Sequence, residues 1–200
     1  MSQDHNADDQ RANGVQECDV AIVGGGMVGM ALACSLASSP LTRNLSIAII
    51  DDNPALNAGG LISKDALPDP RVSTITPASI SFLQDIGAWK YIEQQRHAYF
   101  DKMQVWDYTG LGYTRYNAKD VNKEVLGCVV ENKVLLRSLL LCIQEKDSQK
   151  IVLPSRLASM GVQSGASSGK MDSRLAKLEL ADGSNLAAKL VVIFEKRFGF

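Results

Sequence analysis

The chain has 200 residues, of which 46% are hydrophobic and 22% charged, with a formal net charge of −1 at pH 7. This composition is ordinary for a globular domain, and the balanced charge argues against a nucleic-acid-binding protein. No run of 18 apolar residues occurs, so we expect no transmembrane helix. The four cysteines lack C-x-x-C spacing and only two histidines occur, so we expect neither a structural disulfide nor a histidine-based metal site.

Residues 1–17 are predominantly polar, and we expect them to be disordered. They lack the apolar stretch of a secretory signal peptide. They also lack the basic, acid-poor composition of an organelle presequence, so no targeting presequence is recognised in this chain.

A strand, a glycine-rich turn, a helix and a second strand are predicted in succession near the start of the chain. Residues 19–23 form a short apolar run that is typical of a buried strand. Gly24, Gly26 and Gly29 follow it with the spacing G-x-G-x-x-G, and residues 28–36 continue as an apolar helix. The motif therefore stands in the strand–turn–helix context that a dinucleotide-binding fingerprint requires.

Each position of this pattern has a physical role in holding a dinucleotide. Gly24 permits the tight turn, Gly26 lets a pyrophosphate approach the backbone, and Gly29 allows the helix to pack closely on the strands. Asp51, at the end of the predicted strand 45–50, would accept hydrogen bonds from a ribose hydroxyl. Two alternatives remain: the neighbouring Asp52 could be the ribose partner, or the turn could bind no ligand.

The later elements alternate between helices and strands and then become purely β. In chain order we predict a helix from Thr76 to Asp85, a short helix over 88–95, strands at 103–107, 113–116 and 125–130, a helix over 131–145, and strands at 151–162, 174–180 and 186–193, with a Gly/Ser loop at 164–173. We expect the tryptophans and tyrosines to pack in the core or on sheet faces and His97 to lie on the surface. The class is α/β with a largely parallel sheet.

Four segments together resemble a known family. Residues 19–29 (DVAIVGGGMVG), 69–73 (DPRVS), 82–89 (FLQDIGAW) and 130–132 (VEN) occur in the order and spacing of the flavin-dependent aromatic hydroxylases. The chain resembles the ubiquinone (coenzyme Q) biosynthesis monooxygenase branch, and its eukaryotic mitochondrial members in particular. The combination is more specific than the glycine motif alone.

The resemblance implies FAD as the bound dinucleotide. The three glycines would hold its pyrophosphate and Asp51 its adenosine ribose. Arg71 matches an arginine that reaches the flavin side of the cofactor, and Asn132 matches a polar residue that contacts FAD at the start of a helix. Arg71 could instead be a solvated surface charge, and Glu131 and Asn132 could simply cap the helix. No catalytic residue is assigned.

The family fold is a glutathione-reductase-like, Rossmann-type FAD-binding domain whose parallel sheet carries a β-meander. By resemblance, residues 18–193 are a partial FAD-binding domain with part of the substrate-domain sheet inserted. The family continues with Gly-Ala-Asp-Gly where this chain has Ile193 and then a divergent tail at 194–200. We therefore expect an incomplete fold, with the substrate domain largely missing, in a C-terminally truncated and inactive form of the enzyme.

The family activity is hydroxylation, with O2, of the aromatic ring of a polyprenylated phenol that is a ubiquinone precursor. The resemblance also implies a ferredoxin electron donor, the ubiquinone-synthesis complex as a partner, and a location on the matrix side of the mitochondrial inner membrane. One alternative is a non-catalytic FAD-binding fragment or isoform. Another is an NAD-dependent dehydrogenase, against which the predicted β-meander counts, because NAD-binding folds usually keep βα units.

Overall fold

The computed structural model describes residues 15–57, 59–63, 65–146, 149–162 and 175–194. Within them the chain forms eleven strands and four α-helices. In chain order these are β1 (Gln16–Val23), α1 (Met27–Ser38), β2 (Ile47–Ile50), β3 (Val72–Ile75), α2 (Pro77–Asp85), α3 (Trp89–Glu93), β4 (His97–Phe100), β5 (Lys102–Trp106), β6 (Tyr113–Asn117), β7 (Gly127–Glu131), α4 (Asn132–Gln144), β8 (Lys150–Leu153), β9 (Leu157–Val162), β10 (Ala176–Leu180) and β11 (Asn185–Ile193).

A six-stranded sheet forms the centre of the molecule, in the order β8-β2-β1-β11-β10-β9. The first four strands are mutually parallel, and β10 runs antiparallel to both of its neighbours. Strands β9, β10 and β11 therefore form a meander on the edge of a parallel sheet. This arrangement confirms the predicted α/β class.

Alternate residues of the central strands pack into two different cores. Ile47 and Ile49 of β2 join the core beneath the helices, whereas Ala48 and Ile50 join the core on the opposite face. All four residues of β2 are buried, because a central parallel strand is covered on both faces and side chains alternate along it. An uninterrupted apolar run of four residues is the expected sequence of such a strand.

Two smaller antiparallel sheets accompany the main one, with the orders β3-β7-β4 and β5-β6. Strand β7 leads directly into α4, which packs against α1 in the helical core. Helix α2 begins as predicted, with Thr76 accepting the Ser79 N–H through its side chain and Pro77 in the first turn.

The predicted single strand at 151–162 is wrong, because the segment forms two strands with different partners. Strand β8 pairs in parallel with β2, whereas β9 pairs antiparallel with β10. Pro154 separates them, and the N–H of Ser155 donates to the carbonyl of Leu153 at 2.8 Å in a tight turn. Proline supplies no N–H for a ladder, so the chain changes sheet position here.

Strands β3 and β4 were not predicted. Both are short and pair with opposite edges of β7. His97, predicted to be a surface residue, is a half-buried member of β4 whose ring meets that of Tyr99 edge-on at 5.5 Å between centroids. Four-residue strands without clear alternation carry little periodicity, and pairing to β7 defines them.

The prediction for the aromatic residues holds for Trp89, which is buried, and is wrong for Tyr108, which is 99% exposed between β5 and β6. Trp106 and Tyr113 pair across the β5–β6 hairpin but are 68% and 60% exposed. The hairpin is a separate two-stranded sheet. Among the described residues, its strands belong to neither buried core.

Three predicted segments lie wholly or mostly outside the described residues: the disordered N-terminus, the Gly/Ser loop and the divergent tail. At the N-terminal boundary the structure differs from the prediction, because β1 already begins at Gln16.

Within the described ranges, no helix is both long and apolar enough to cross a membrane. No group of three His, Cys, Asp or Glu side chains in the same ranges is placed to hold a metal ion. All four cysteines are buried and have free thiols.

Candidate functional site

The glycine-rich turn joins the carboxyl end of β1 to the start of α1. Gly24 has φ of +101°, a conformation that side-chain-bearing residues rarely adopt. Its N–H donates to the carbonyl of Ile50 at 2.9 Å, which ties the turn to β2. Because parallel strands present their carboxyl ends at the same edge, the turn lies where open α/β sheets bind ligands.

Gly29 and Gly26 have contrasting surroundings within this turn and the first helical turn. A Cβ atom on Gly29 would lie 1.9 Å from the carbonyl oxygen of Gly24, so only hydrogen fits there. A Cβ on Gly26 would have no atom within 4 Å. The backbone of Gly26 is therefore accessible from outside, whereas Gly29 is a packing position.

The N-terminus of α1 has the properties of an anion-binding site. Gly26 occupies the N-cap position, no side chain of the described residues caps the helix, and its first turn contains no acid. The first-turn N–H groups and the positive end of the helix dipole therefore remain available to a negatively charged ligand.

Asp51 braces the same turn from the end of β2. Its Oδ2 accepts the N–H of Gly25 at 2.6 Å, and its Oδ1 accepts the N–H of Asn53 at 2.7 Å. Each carboxylate oxygen has a second lone pair, so the group can still accept from a ligand hydroxyl. This bracing role was missed by sequence reasoning, which considered Asp51 only as a ligand contact.

The neighbouring acid, Asp52, points away from the glycine turn. Asp52 forms an ion pair with Arg156, which lies between β8 and β9, and both side chains are about half exposed. Successive residues of an extended segment point to opposite sides, so only one of the two acids can face the glycine turn. That acid is Asp51, and Asp52 loses support as the alternative ribose partner.

Arg71 lies immediately before β3, with its guanidinium 78% exposed. Its backbone N–H donates to Asp69 Oδ1 at 3.0 Å, and its Nε lies 3.5 Å from the same oxygen. Its carbonyl accepts the N–H of Asn132 at 2.9 Å. Arg71, predicted to reach the flavin side, and Asn132, predicted to contact FAD at the start of a helix, are thus neighbours, although they are 61 positions apart in the chain.

Neither Glu131 nor Asn132 caps helix α4 with its side chain. Glu131 occupies the N-cap position without a side-chain capping bond, and Asn132 is the first helical residue. Asn132 Oδ1 instead accepts the hydroxyl of Ser73 at 2.6 Å. The alternative that this pair only caps the helix is therefore wrong.

Glu131 is a buried carboxylate that binds groups from three other parts of the chain, a role that the sequence did not indicate. It accepts Arg96 Nε at 2.7 Å and the backbone N–H of Asp69 at 2.8 Å, and Lys133 Nζ lies 3.3 Å away. The hydrogen bond from Arg96 is the largest of several interactions that lower the pKa of Glu131 to about 2. Burial of the carboxylate opposes this shift. No spacing in the sequence indicates that Arg96 is the partner.

An apolar cavity lies next to both groups of predicted residues. It has a volume of about 550 Å³, and apolar side chains of α1, α2, α4 and β3 form most of its walls. Met27, next to Gly26, borders one part, and Ser73, the partner of Asn132, borders another. The predicted site residues themselves do not line this cavity, which lies beside the glycine turn and beside Ser73.

Residues 21–109 match a family model described as FAD-NAD(P)-binding. The chain is 33% identical over 178 residues to the mitochondrial ubiquinone biosynthesis monooxygenase COQ6 of Xenopus tropicalis, covering 87% of this chain and 36% of that protein. It is 29% identical over 178 residues to the 3-demethoxyubiquinol 3-hydroxylase of Escherichia coli strain K12, covering 88% and 41%. These relatives confirm the resemblance seen in the sequence, and the chain spans little more than a third of their length.

Solved structures share the fold. The p-nitrophenol 4-monooxygenase PnpA of Pseudomonas putida superposes with a TM-score of 0.60 at 12% identity, over 92% of this chain and 42% of that one. The rebeccamycin biosynthetic enzyme RebC gives a TM-score of 0.55 at 23% identity, over 90% and 33%. At these identities the likeness establishes the fold alone.

Proposed function

Because the homologues of this chain are monooxygenases of ubiquinone biosynthesis, we propose that its residues form the FAD-binding part of such an enzyme. The observation that carries this proposal is the glycine turn. It combines an open backbone at Gly26, an uncapped helix N-terminus and an acid at the end of the next strand. These are the features that hold the pyrophosphate and ribose of a dinucleotide.

In this proposal Gly24, Gly26 and Gly29 shape the pyrophosphate site and Asp51 accepts from the adenosine ribose. Arg71 and Asn132, which are neighbours through a backbone hydrogen bond, would contact the cofactor at a second point, with Arg71 on its flavin side. The exposed guanidinium of Arg71 has five donors in a fixed fork, which suits phosphate or carbonyl oxygens.

FAD supplies the redox chemistry with O2 when it is bound. For the whole enzyme we propose ring hydroxylation of a polyprenylated phenol precursor of ubiquinone. The name of the Escherichia coli relative gives one such substrate, 3-demethoxyubiquinol. We further propose a ferredoxin electron donor, association with the ubiquinone-synthesis complex, and a mitochondrial site on the matrix face of the inner membrane, by analogy with the mitochondrial relatives.

For these 200 residues by themselves we propose cofactor binding without hydroxylation. In the part of the chain that the structure describes, only three serines interrupt the apolar lining of the cavity, and no acid or base borders it. General acid–base groups within reach of a substrate are therefore not supplied by the described cavity. This proposal matches the non-catalytic FAD-binding alternative drawn from the sequence.

The β-meander weighs against an NAD-dependent dehydrogenase. Strand β11 is entered from the antiparallel strands β9 and β10 rather than from a crossover helix. A parallel NAD-binding sheet is usually built from βα units. The choice of FAD over NAD therefore rests on topology as well as on the relatives.

The test is flavin retention by the purified chain. Incubation with FAD followed by desalting should leave bound flavin, seen in the visible absorbance. Gly26→Val should weaken FAD binding by at least about tenfold, because the new side chain occupies the space needed by the pyrophosphate. The matched control is Gly161→Val in β9, where a Cβ also has no neighbour within 4 Å.

Circular dichroism should show both variants folded. Equal FAD affinity for Gly26→Val and the unsubstituted chain would contradict the pyrophosphate site. No flavin on a folded, unsubstituted chain would show that these residues do not bind FAD by themselves. Tight binding of NADH with no binding of FAD would favour the dehydrogenase.

A further inference from the structure

The segment that leads to Arg71 is held by side chains from three separate parts of the chain. Arg96, which immediately precedes β4, donates through Nη1 to the carbonyl of Ala66 at 3.0 Å. Lys133, in the first turn of α4, donates to the carbonyl of Leu67. Glu131, at the end of β7, accepts the N–H of Asp69 at 2.8 Å. We name residues 66–71 the arginine loop.

Glu131 connects these contacts into one unit. The same carboxylate accepts Arg96 through Nε at 2.7 Å and Nη2 at 3.3 Å, and it pairs with Lys133 Nζ at 3.3 Å. Both cations that hold carbonyls of the arginine loop are thus oriented by Glu131. Its side chain is only 8% exposed, so solvent screens these charges weakly.

The arginine loop ends at Arg71, the predicted flavin-side residue, next to Asn132. Asp69, held by Glu131, accepts the N–H of Arg71 at 3.0 Å and also pairs with its Nε. The carbonyl of Arg71 accepts the N–H of Asn132, the residue directly after Glu131. Glu131 therefore holds the backbone two residues before Arg71 and directly precedes Asn132 in the chain, while its side chain also pairs with Arg96 and Lys133.

We propose that Glu131 is a positioning residue that presents Arg71 to the flavin half of the cofactor, an inference that rests on the proposed FAD-binding function. Glu131 makes no contact with the ligand in this arrangement. It acts by holding the Asp69 N–H and the Arg96 and Lys133 side chains. The Arg71 side chain therefore extends from a backbone whose position is fixed. A binding group held by such a supporting set loses less freedom when the ligand binds.

The variant that tests this proposal is Glu131→Gln, which keeps the size of the side chain and an oxygen for the Asp69 N–H but removes the charge. Its matched control is Glu145→Gln, at the other end of α4, where an exposed carboxylate pairs with Lys90. We expect Glu131→Gln to weaken FAD binding about tenfold and Glu145→Gln less than twofold.

A double-mutant cycle separates positioning from a general loss of stability. Where Arg71 is already replaced by Ala, Glu131→Gln should weaken FAD binding less than about twofold, because the group that it positions is gone. An unchanged tenfold effect in that background would overturn the proposal, since Glu131 would then act independently of Arg71. FAD binding by Glu131→Gln equal to that of the unsubstituted chain would also overturn it.

A second measurement keeps the inference separable from the proposed function. Amide hydrogen exchange without FAD should be faster at Asp69 and Asn132 in Glu131→Gln, and unchanged there in Glu145→Gln. If the unsubstituted chain binds no FAD but exchange increases at these amides, the proposed function fails while the hold on the arginine loop stands. If exchange is unchanged, Glu131 does not hold the loop and the inference fails.

Discussion

At the residue scale, two glycines of one motif meet different constraints. Gly26 faces open space, whereas the hydrogen of Gly29 faces the carbonyl oxygen of Gly24. The motif assigns ligand approach to Gly26 and close helix packing to Gly29, and the surroundings of the two positions fit those different roles.

Gly29→Ala should therefore destabilise the chain even without a ligand. The added methyl would lie 1.9 Å from the Gly24 oxygen, so the strand and helix must move apart. We expect a loss of about 3 kcal/mol in the free energy of unfolding, measured by urea denaturation without FAD.

The matched change is Gly26→Ala, which should cost no more than about 1 kcal/mol, since its backbone is extended and its surroundings are open. Equal losses for the two variants would show that the helix can adjust around Gly29.

At the element scale, one side chain joins three neighbouring strands close to the amino end of β2. Asp19 of β1 accepts the backbone N–H and the hydroxyl of Ser46 at 2.8 and 2.9 Å, beside β2. It also pairs with Lys189 of β11 at 2.7 Å. These interactions lower the pKa of Asp19 from 3.8 to about 2, and the hydrogen bond from Lys189 contributes more than those from Ser46.

This lowered pKa predicts a specific acid dependence. A carboxyl with a lower pKa in the folded state contributes stability that is fully present above its unfolded pKa, near 4. The contribution is lost as the pH falls toward 2, because the folded state must then take up the proton. Asp19→Asn should therefore reduce the dependence of unfolding free energy on pH between pH 4 and 2, as measured by urea denaturation at a series of pH values.

Lys189→Met offers an independent check, because it removes the first cause of the shift while leaving the carboxyl in place. It should reduce the same dependence in part. If the unfolding free energies of Asp19→Asn and of the unsubstituted chain change in parallel between pH 4 and 2, Asp19 is not the source of the acid dependence.

At the scale of the whole molecule, the main sheet separates two cores, and cysteines contribute to both. Cys34 and Cys142 lie beneath the helices, and Cys18 lies on the opposite face. The Cys34 thiol donates to the carbonyl of Leu139 at 3.2 Å, and the Cys142 thiol donates to that of Ile86 at 3.2 Å. Cysteine serves here as a small buried residue with a weak hydrogen bond.

We therefore expect all four thiols to be protected in the folded chain. A chromogenic thiol reagent should titrate four groups in denaturant and react at least about a hundredfold more slowly under native conditions, because a buried thiol reacts only after the chain opens. One thiol that reacts rapidly in the native chain would show that one of the two cores opens locally.

Much of the fold could be predicted because its information is local. The apolar run before Gly24, the glycine spacing, the Thr76–Pro77 helix start and the apolar face of α4 each specify an element through neighbouring residues. The candidate ligand positions were found in the same way, from motif context and family resemblance. The fold class follows because alternating β and α elements favour a parallel sheet.

The sequence by itself determined the βα unit, the dinucleotide fingerprint and the family resemblance. The tertiary structure alone decided that Asp51 rather than Asp52 faces the turn, that Pro154 divides two strands, and that Glu131 gathers Arg96 and Lys133 behind Arg71. Helical and strand periodicities reflect contacts within a few residues. Strand pairing, burial and charge pairing depend on residues tens of positions apart, whose meeting is determined by the packing of the whole chain.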